Sequence, residues 1–203
     1  MDLFSETTNE PTNLLPYDGT VIYFGRIMGS ESTSTFYRQL LNEIPWKSDE
    51  VMMFGKRITM KRKMAWFADD GISYTYASSR KEALPWTDSL LTLKNIVSEV
   101  SGHTYNSCLL NLYQDGEQAM GWHADNEKQL LKNGAIASVS LGAERKFAFK
   151  HRVNADRVDV VLENGSMLLM KDETQQHWLH RLPPTKKVTS PRINLTFRTI
   201  LPC

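Results

Sequence analysis

From Asn106 onward the sequence is a succession of short apolar runs, SCLLNLY, AIASVSLG, RKFAFKH, RVDVVLENGSMLLM and RINLTFRTI, broken by Gly, Asn and Pro. Runs of this length bounded by turn formers are strands, and several of them packed into one half of a chain predict a sandwich or small barrel. Asn164-Gly165 lies inside the longest run and predicts a hairpin over Val158–Met170. The upstream half differs. Leu90, Leu93, Ile96, Val97 and Val100 recur at helical spacing, with Thr87 or Asp88 as N-cap and Gly102 just past the end, which predicts a packing helix over Thr87–Ser101. A shorter helix is predicted over Ser34–Leu41. The expected class is therefore mainly β with flanking helices (α+β).

With 203 residues and 41% hydrophobic content, the chain can bury one substantial core, so one domain over 1–203 is expected. Within it, residues 1–18 mix Thr, Asn, Glu and Pro without periodicity and predict a mobile tail or a surface-hugging lead-in. The 24 basic and 23 acidic residues give a net charge of +1, which excludes a wholly basic nucleic-acid-coating protein and leaves room only for a local basic patch. Two cysteines, Cys108 and Cys203, make neither a disulfide framework nor a zinc cluster, and are expected as free thiols. The acidic, polar start has no apolar signal segment, and no later stretch is long enough for a bilayer. The expectation is a soluble, intracellular monomer without membrane contact, cytoplasmic in a bacterium and nuclear in a eukaryote.

The chemistry concentrates in GWHADNE, where His123 and Asp125 are one residue apart, and in HWLHRLPP, where His180 follows 57 positions after His123. Residues i and i+2 of an extended chain point the same way, so His123 and Asp125 can reach one ion. Two histidines and a carboxylate on one face of an octahedral ion leave three positions free, the arrangement of non-haem iron(II) oxygenases, with zinc the less natural tenant. Of the five histidines, His177 lies three residues before His180, and spacing does not choose between them.

RINLTFR places Arg192, Asn194, Thr196 and Arg198 on one strand face and Ile193, Leu195 and Phe197 on the other. Asn111 and Tyr113 alternate with Leu110 and Leu112 in the same manner. Such polar faces commonly meet water. Beside a metal they suit a five-carbon dicarboxylate, because Arg bonds a carboxylate bidentately. Arg192 and Arg198 stand roughly 20 Å apart at about 3.3 Å per residue, so both can contact one such ligand only through side-chain reach and strand curvature.

Taken together, NLYQDGEQAMGWHADNE, HWLHRLPP and PRINLTFRTI resemble the AlkB family of iron(II)/2-oxoglutarate-dependent DNA dealkylation dioxygenases across nearly all of the C-terminal half. The resemblance implies His123, Asp125 and His180 as ligands of Fe(II), with His180 selected over His177 by the following Leu-Pro and its distance of 12 residues from Arg192. It implies Asn111, Tyr113, Arg192, Asn194, Thr196 and Arg198 as contacts of 2-oxoglutarate, Arg192 at the distal carboxylate and Arg198 nearer the metal. The implied fold is a double-stranded β-helix, or jelly roll, over 106–203, with a nucleotide-recognition lid and supporting helices over 19–105.

Upstream, EVMMFGK and KRKMAWFADDGISYTYA are similar to lid segments of the family's duplex-DNA branch. There Phe54, with Gly55 and Lys56, would be an aromatic wedge entering the base stack, although VMMF by itself reads as an ordinary buried strand. Tyr74, Thr75 and Tyr76 would bind the flipped base, with Tyr76 stacked opposite His123, and Asn126 and Glu127 would contact it. Lys61, Arg62 and Lys63 would touch phosphates, or simply be a solvated charge run. The sequence departs from the family at Lys61, where a proline is usual, at Met64, where a glutamine is usual, and at Asn126, where the duplex branch often has a carboxylate.

The implied reaction consumes O2 and 2-oxoglutarate, gives succinate and CO2, and hydroxylates an N-alkyl carbon whose adduct releases an aldehyde and the repaired base. Alkylated DNA carrying 1-methyladenine or 3-methylcytosine is the implied partner, since a weakened pair is easier to flip. The alternatives are the same oxidation on RNA or single-stranded DNA, a non-catalytic jelly roll that binds modified nucleic acid, and a dioxygenase acting on protein or a small molecule.

Overall fold

The computed structural model describes residues 12–53, 56–70, 72–76 and 79–201, with side chains outside 49–60 and 73–82. In chain order the elements are β1 (Thr20–Arg26), α1 (Ser30–Glu43), β2 (Lys47–Met53), β3 (Lys56–Ala68), β4 (Ser73–Tyr76), β5 (Ser79–Glu82), α2 (Asp88–Ser101), β6 (Ser107–Tyr113), β7 (Met120–His123) and β8 (Ile136–Gly142). They continue with β9 (Arg145–His151), β10 (Arg157–Leu162), β11 (Ser166–Lys171), α3 (Thr174–His177), β12 (Trp178–Leu182) and β13 (Arg192–Arg198). A seven-stranded sheet runs β1-β11-β8-β13-β6-β3-β2, a four-stranded sheet runs β10-β9-β12-β7, and β4 pairs with β5. Every strand pairing within the two large sheets is antiparallel. The architecture is a jelly roll. β1 and β3, from the segment expected to supply lid and supporting helices, hydrogen-bond into the same sheet as β13.

The helices cover one face of the seven-stranded sheet. Leu90, Leu93 and Val97 of α2 and Leu40 of α1 pack with Leu110, Val139, Leu141, Ile193, Leu195 and Phe197 in one buried cluster. Each of the fully buried leucines contributes about 1.5–3 kcal/mol relative to exposure. α2 begins where Thr87 accepts the Leu90 N–H at 3.3 Å and ends at left-handed Gly102, φ +70°. α1 is longer than the expected Ser34–Leu41. Its first turn closes on Gly29, whose carbonyl accepts the Thr33 N–H at 2.9 Å, and it stops at Ile44, which precedes Pro45 and is held extended.

The hairpin expected over Val158–Met170 does not form. β10 pairs with β9 in the small sheet, whereas β11 pairs with β1 and β8 in the large one. Asn164-Gly165 is indeed a turn, but it carries the chain from one sheet to the other. Asn164 Oδ1 accepts the Gly142 N–H at 2.8 Å, and Gly165 has φ +81° with a Cβ position only 2.6 Å from Thr33 Oγ1. Val158, Val160 and Leu162 and Leu168 and Met170 share one cluster with Leu15, Val21, Ile136, Phe149 and Trp178. The apolar alternation is the same whether two strands pair at their edges or meet face to face, so the pattern alone could not separate these cases. Of the two expectations for 1–18, residues 12–18 follow the lead-in that hugs the surface and not the mobile tail: Leu15 is buried, and Asn13 Oδ1 accepts the N–H groups of Leu15 and Val21 at 3.1 and 2.8 Å, while residues 1–11 lie outside the described residues.

Candidate metal centre and co-substrate pocket

Strand alternation gives β13 two unlike faces, and both are covered. Ile193, Leu195 and Phe197 enter the helix-side core, while Arg192, Asn194, Thr196 and Arg198 line a cavity of about 250 Å³ between the two sheets. Register supplies the neighbours. Arg192 lies opposite Tyr113 and Asn194 opposite Asn111 on one side, and Asn194 and Thr196 lie opposite Ser140 and Ser138 on the other. The polar row therefore faces a pocket between the sheets and not the outer surface. Arg192 is fully buried and donates to Ser140 Oγ at 2.9 Å, and Asn194 Nδ2 donates to Ser138 Oγ at 2.8 Å. Burial lowers the Arg192 guanidinium to about 10, which leaves it cationic at neutral pH, and Tyr113, whose ring centroid lies 5.6 Å from it, is pushed up by burial and stays a phenol.

The small sheet provides the opposite wall. His180 of β12 is the cross-strand partner of His123 of β7, with ring centroids 4.2 Å apart. One ligand atom from each of His123, Asp125 and His180 lies within 4.8 Å of the others. His123 Nδ1 is 2.9 Å from the Gly121 carbonyl. A carbonyl only accepts, so Nδ1 bears a hydrogen, and in the neutral ring the lone pair falls on Nε2, 3.7 Å from Asp125 Oδ1. His180 is buried against Phe147 and Phe149, and burial pushes its pKa down to about 3 despite the opposing pull of Asp125, so the ring is neutral. Its Nδ1 is buried without a hydrogen-bond partner. For the Asp125 carboxyl, burial acts upward, but the charge of Arg198 is the main opposing pull and the carboxyl stays below its ordinary value. Arg198 Nη2 donates to Asp125 Oδ2 at 3.1 Å, and Nη1 lies 3.6 Å from Glu127. Two imidazoles and one buried carboxylate held ionised by Arg198 fit a divalent ion.

Among the described residues a second His/His/Asp group, Asp18, His151 and His177, gathers its ligand atoms within 4.8 Å of one another elsewhere. His177, which spacing alone left open, belongs to this group and not to the pocket.

Other expected residues are placed less simply. Glu127 lines the pocket, whereas Asn126 is exposed and lines a separate cavity beyond Asp125. Lys61 and Lys63 are exposed, but the alternation of β3 turns Arg62 inward, where its Nε donates to Asn111 Oδ1 at 3.1 Å. A common phosphate-binding run of all three is therefore excluded. Lys56 begins β3, and Tyr74, Thr75 and Tyr76 lie on β4, while Phe54 and Gly55 lie outside the described residues. Sequence reasoning missed Ser138 and Ser140, although two serines alternating within AIASVSLG were a usable signal. It also missed Arg145, which is 2% exposed and donates to the carbonyls of Asp115, Gly116, Gln118 and Pro183, fixing the loop that joins β6 to β7. An isolated arginine at the start of a strand carries no such signal.

The family description "2OG-Fe(II) oxygenase superfamily" matches residues 20–198, which include both walls of this pocket. The chain belongs to that superfamily. Its requirements are accordingly Fe(II), 2-oxoglutarate and O2. Within the superfamily it is a member of the AlkB family. DNA oxidative demethylase ALKBH2 of Mus musculus is 38% identical over 199 residues, covering 93% of this chain and 81% of the relative. Alpha-ketoglutarate-dependent dioxygenase alkB homolog 3 of Homo sapiens is 36% identical over 174 residues, covering 81% of this chain and 60% of the relative. A solved structure, "The structure of OsALKBH1", superposes with a TM-score of 0.60 at 16% identity, over 91% of this chain and 98% of that one, which shows the shared fold. No helix among the described residues is long and apolar enough to cross a membrane.

Proposed function

We propose that this AlkB-family oxygenase oxidatively demethylates alkylated bases in DNA, with 1-methyladenine and 3-methylcytosine as candidate lesions. The observation that carries the reading is a single cavity, about 250 Å³, with the His123, Asp125 and His180 group on one wall and the polar row of β13 on the other. The relatives named as DNA oxidative demethylases supply the substrate class.

In this reading His123, Asp125 and His180 hold iron(II), which with 2-oxoglutarate and O2 supplies the oxidising equivalent for hydroxylating an N-alkyl carbon. Arg192, buried and cationic, binds the distal carboxylate of 2-oxoglutarate with Tyr113 and Asn194 beside it. Arg198 keeps the Asp125 carboxylate ionised and aimed into the pocket. Thr196 and Asn111 complete the polar wall, and Arg62 orients the Asn111 amide. Met120, Phe147 and Leu182 exclude water on the ligand side. Phe54, Gly55, Lys56, Tyr74, Thr75, Tyr76 and Glu127 are assigned to the nucleic acid by their match to the duplex-DNA branch, Phe54 as the wedge and Tyr76 as the stacking partner.

The test is anaerobically prepared Fe(II) enzyme given 2-oxoglutarate, air and methylated oligonucleotides, duplex and single-stranded, with repair read by mass spectrometry. Loss of a methyl group with stoichiometric succinate is expected, and no mass loss on any oligonucleotide overturns the proposal. Phe54→Ala is expected to reduce repair of duplexes more than of single strands, and an equal loss on both overturns the duplex assignment.

A further inference from the structure

Asp125 lies in a segment without regular structure after β7, yet its carboxylate must hold one direction if it is to act with His123 and His180. Side-chain contact with Arg198 fixes the charge, but the backbone of Asp125 has a separate anchor. Its N–H donates to Gln175 Oε1 at 2.9 Å, and Gln175 Nε2 donates to Met170 Sδ at 3.5 Å, so each end of the amide has its own partner. We infer that Gln175 is a positioning residue for the proposed metal ligand Asp125, an inference that rests on the metal reading of the triad.

The four residues of α3 make this anchor rigid, because each is tied to a different part of the molecule. Thr174 Oγ1 accepts the Thr20 N–H at 2.8 Å and donates to the Lys171 carbonyl at 2.6 Å. Gln176 Nε2 donates to Asn133 Oδ1 at 2.7 Å, and the His177 ring stacks 6.3 Å from that of His151. α3 then runs directly into β12, which carries His180. One short helix thus sets the backbone of one proposed ligand through Gln175 and leads into the strand of another through the chain. Outer partners that orient a metal ligand typically govern metal affinity by roughly 10–100-fold.

The choice of substitution follows from the surroundings. Gln175 and Asp125 both line a second cavity of about 340 Å³ on the far side of the ligand loop. A truncation to alanine would let water from that cavity replace the lost acceptor. Gln175→Leu fills the space and offers no acceptor, whereas Gln175→Glu keeps one.

The experiment titrates metal-free wild type and both variants with Co(II) alone, reading affinity and the visible ligand-field spectrum, with thermal melts of the metal-free proteins alongside. Gln175→Leu is expected to weaken Co(II) binding by roughly 10–100-fold and to alter the spectrum. Gln175→Glu is expected to bind close to wild type. Unchanged affinity and spectrum in Gln175→Leu overturn the inference, as does equal loss in both variants. If Gln175→Leu lowers the melting temperature strongly, near-wild-type binding by Gln175→Glu supports the acceptor role and failure of that variant overturns it. A wild type that binds no Co(II) overturns the metal reading itself, a result distinct from any difference between variants.

Discussion

Among the described residues, two groups of two histidines and one aspartate have similar spacing between their ligand atoms, and they differ in how those atoms are presented to a metal. In the pocket group, the rear nitrogen of His123 faces the Gly121 carbonyl, so the front nitrogen of a neutral ring presents a lone pair. In the second group, the rear nitrogen of His151 accepts the Asn154 N–H at 3.2 Å. A neutral His151 therefore carries its hydrogen on Nε2, 3.3 Å from Asp18 Oδ2, and a cation there would meet a hydrogen instead of a lone pair. The aspartates differ as well: the side chain of Asp125 is 7% exposed and neutralised by Arg198, whereas that of Asp18 is 48% exposed. Tyr17 and Trp178 pack edge-on against His151, so the second group fastens the lead-in before β1 to β9 and β12. Residue type and distance are thus insufficient to define a metal site. The hydrogen bonds behind His123 and His151 decide which nitrogen of each neutral ring is available.

The largest expected effect that sharpens this contrast is on metal stoichiometry and affinity. Wild type is expected to bind one Co(II) per chain. Asp125→Asn should weaken that binding more than the roughly 10–100-fold typical of an outer-shell change, while His151→Asn and His177→Ala leave the stoichiometry at one. Two ions per chain by equilibrium dialysis would break the distinction.

Next in size is the co-substrate. Arg192→Met preserves much of the buried stem but removes the cation, and a lost charged hydrogen bond costs about 2–3 kcal/mol, equivalent to a rise of roughly 30–150-fold in KM for 2-oxoglutarate. Steady-state succinate release reads this directly. An unchanged KM would remove Arg192 from the carboxylate site.

A third difference lies in pH. The pKa of His180 in the folded protein is about 3 against an ordinary value of 6.5, so the unfolded chain binds the extra proton between these values. Stability is therefore fully present above about pH 6.5 and falls as pH drops toward about 3. The melting temperature of metal-free protein should decline over that window, and His180→Asn should flatten the slope. The depressed carboxyl of Asp125 adds a loss of the same sign at lower pH, as pH falls below its ordinary value of 3.8. Equal slopes in wild type and His180→Asn would contradict a buried neutral ring.

The smallest effect concerns the second group alone. His177 is partly exposed, with 39% of its side chain accessible, and its contact with Glu173 is 3.8 Å long. His177→Ala should change stability by no more than about 1 kcal/mol, measured by urea unfolding, with no change in turnover. A loss of turnover would show that the two groups are coupled.

The sequence by itself determined the strands β6, β8, β9, β10, β11 and β13, the α2 caps and the polar face of RINLTFR, because each depends on neighbours two to four positions away and the backbone period is fixed. It also brought together His123 and Asp125, one residue apart. Tertiary structure alone decided what faces what. The register of β13 against β6 and β8 set Arg192 beside Tyr113 and Ser140, and the pairing of β12 with β7 set His180, the histidine that the family resemblance implies, opposite His123. Nor could local pattern foresee that Asn164-Gly165 changes sheets, that Arg62 turns inward, or that Gln175 reaches the Asp125 backbone from fifty residues away. These are contacts between segments distant in sequence, and the periodicity of one strand carries no information about which strand lies opposite.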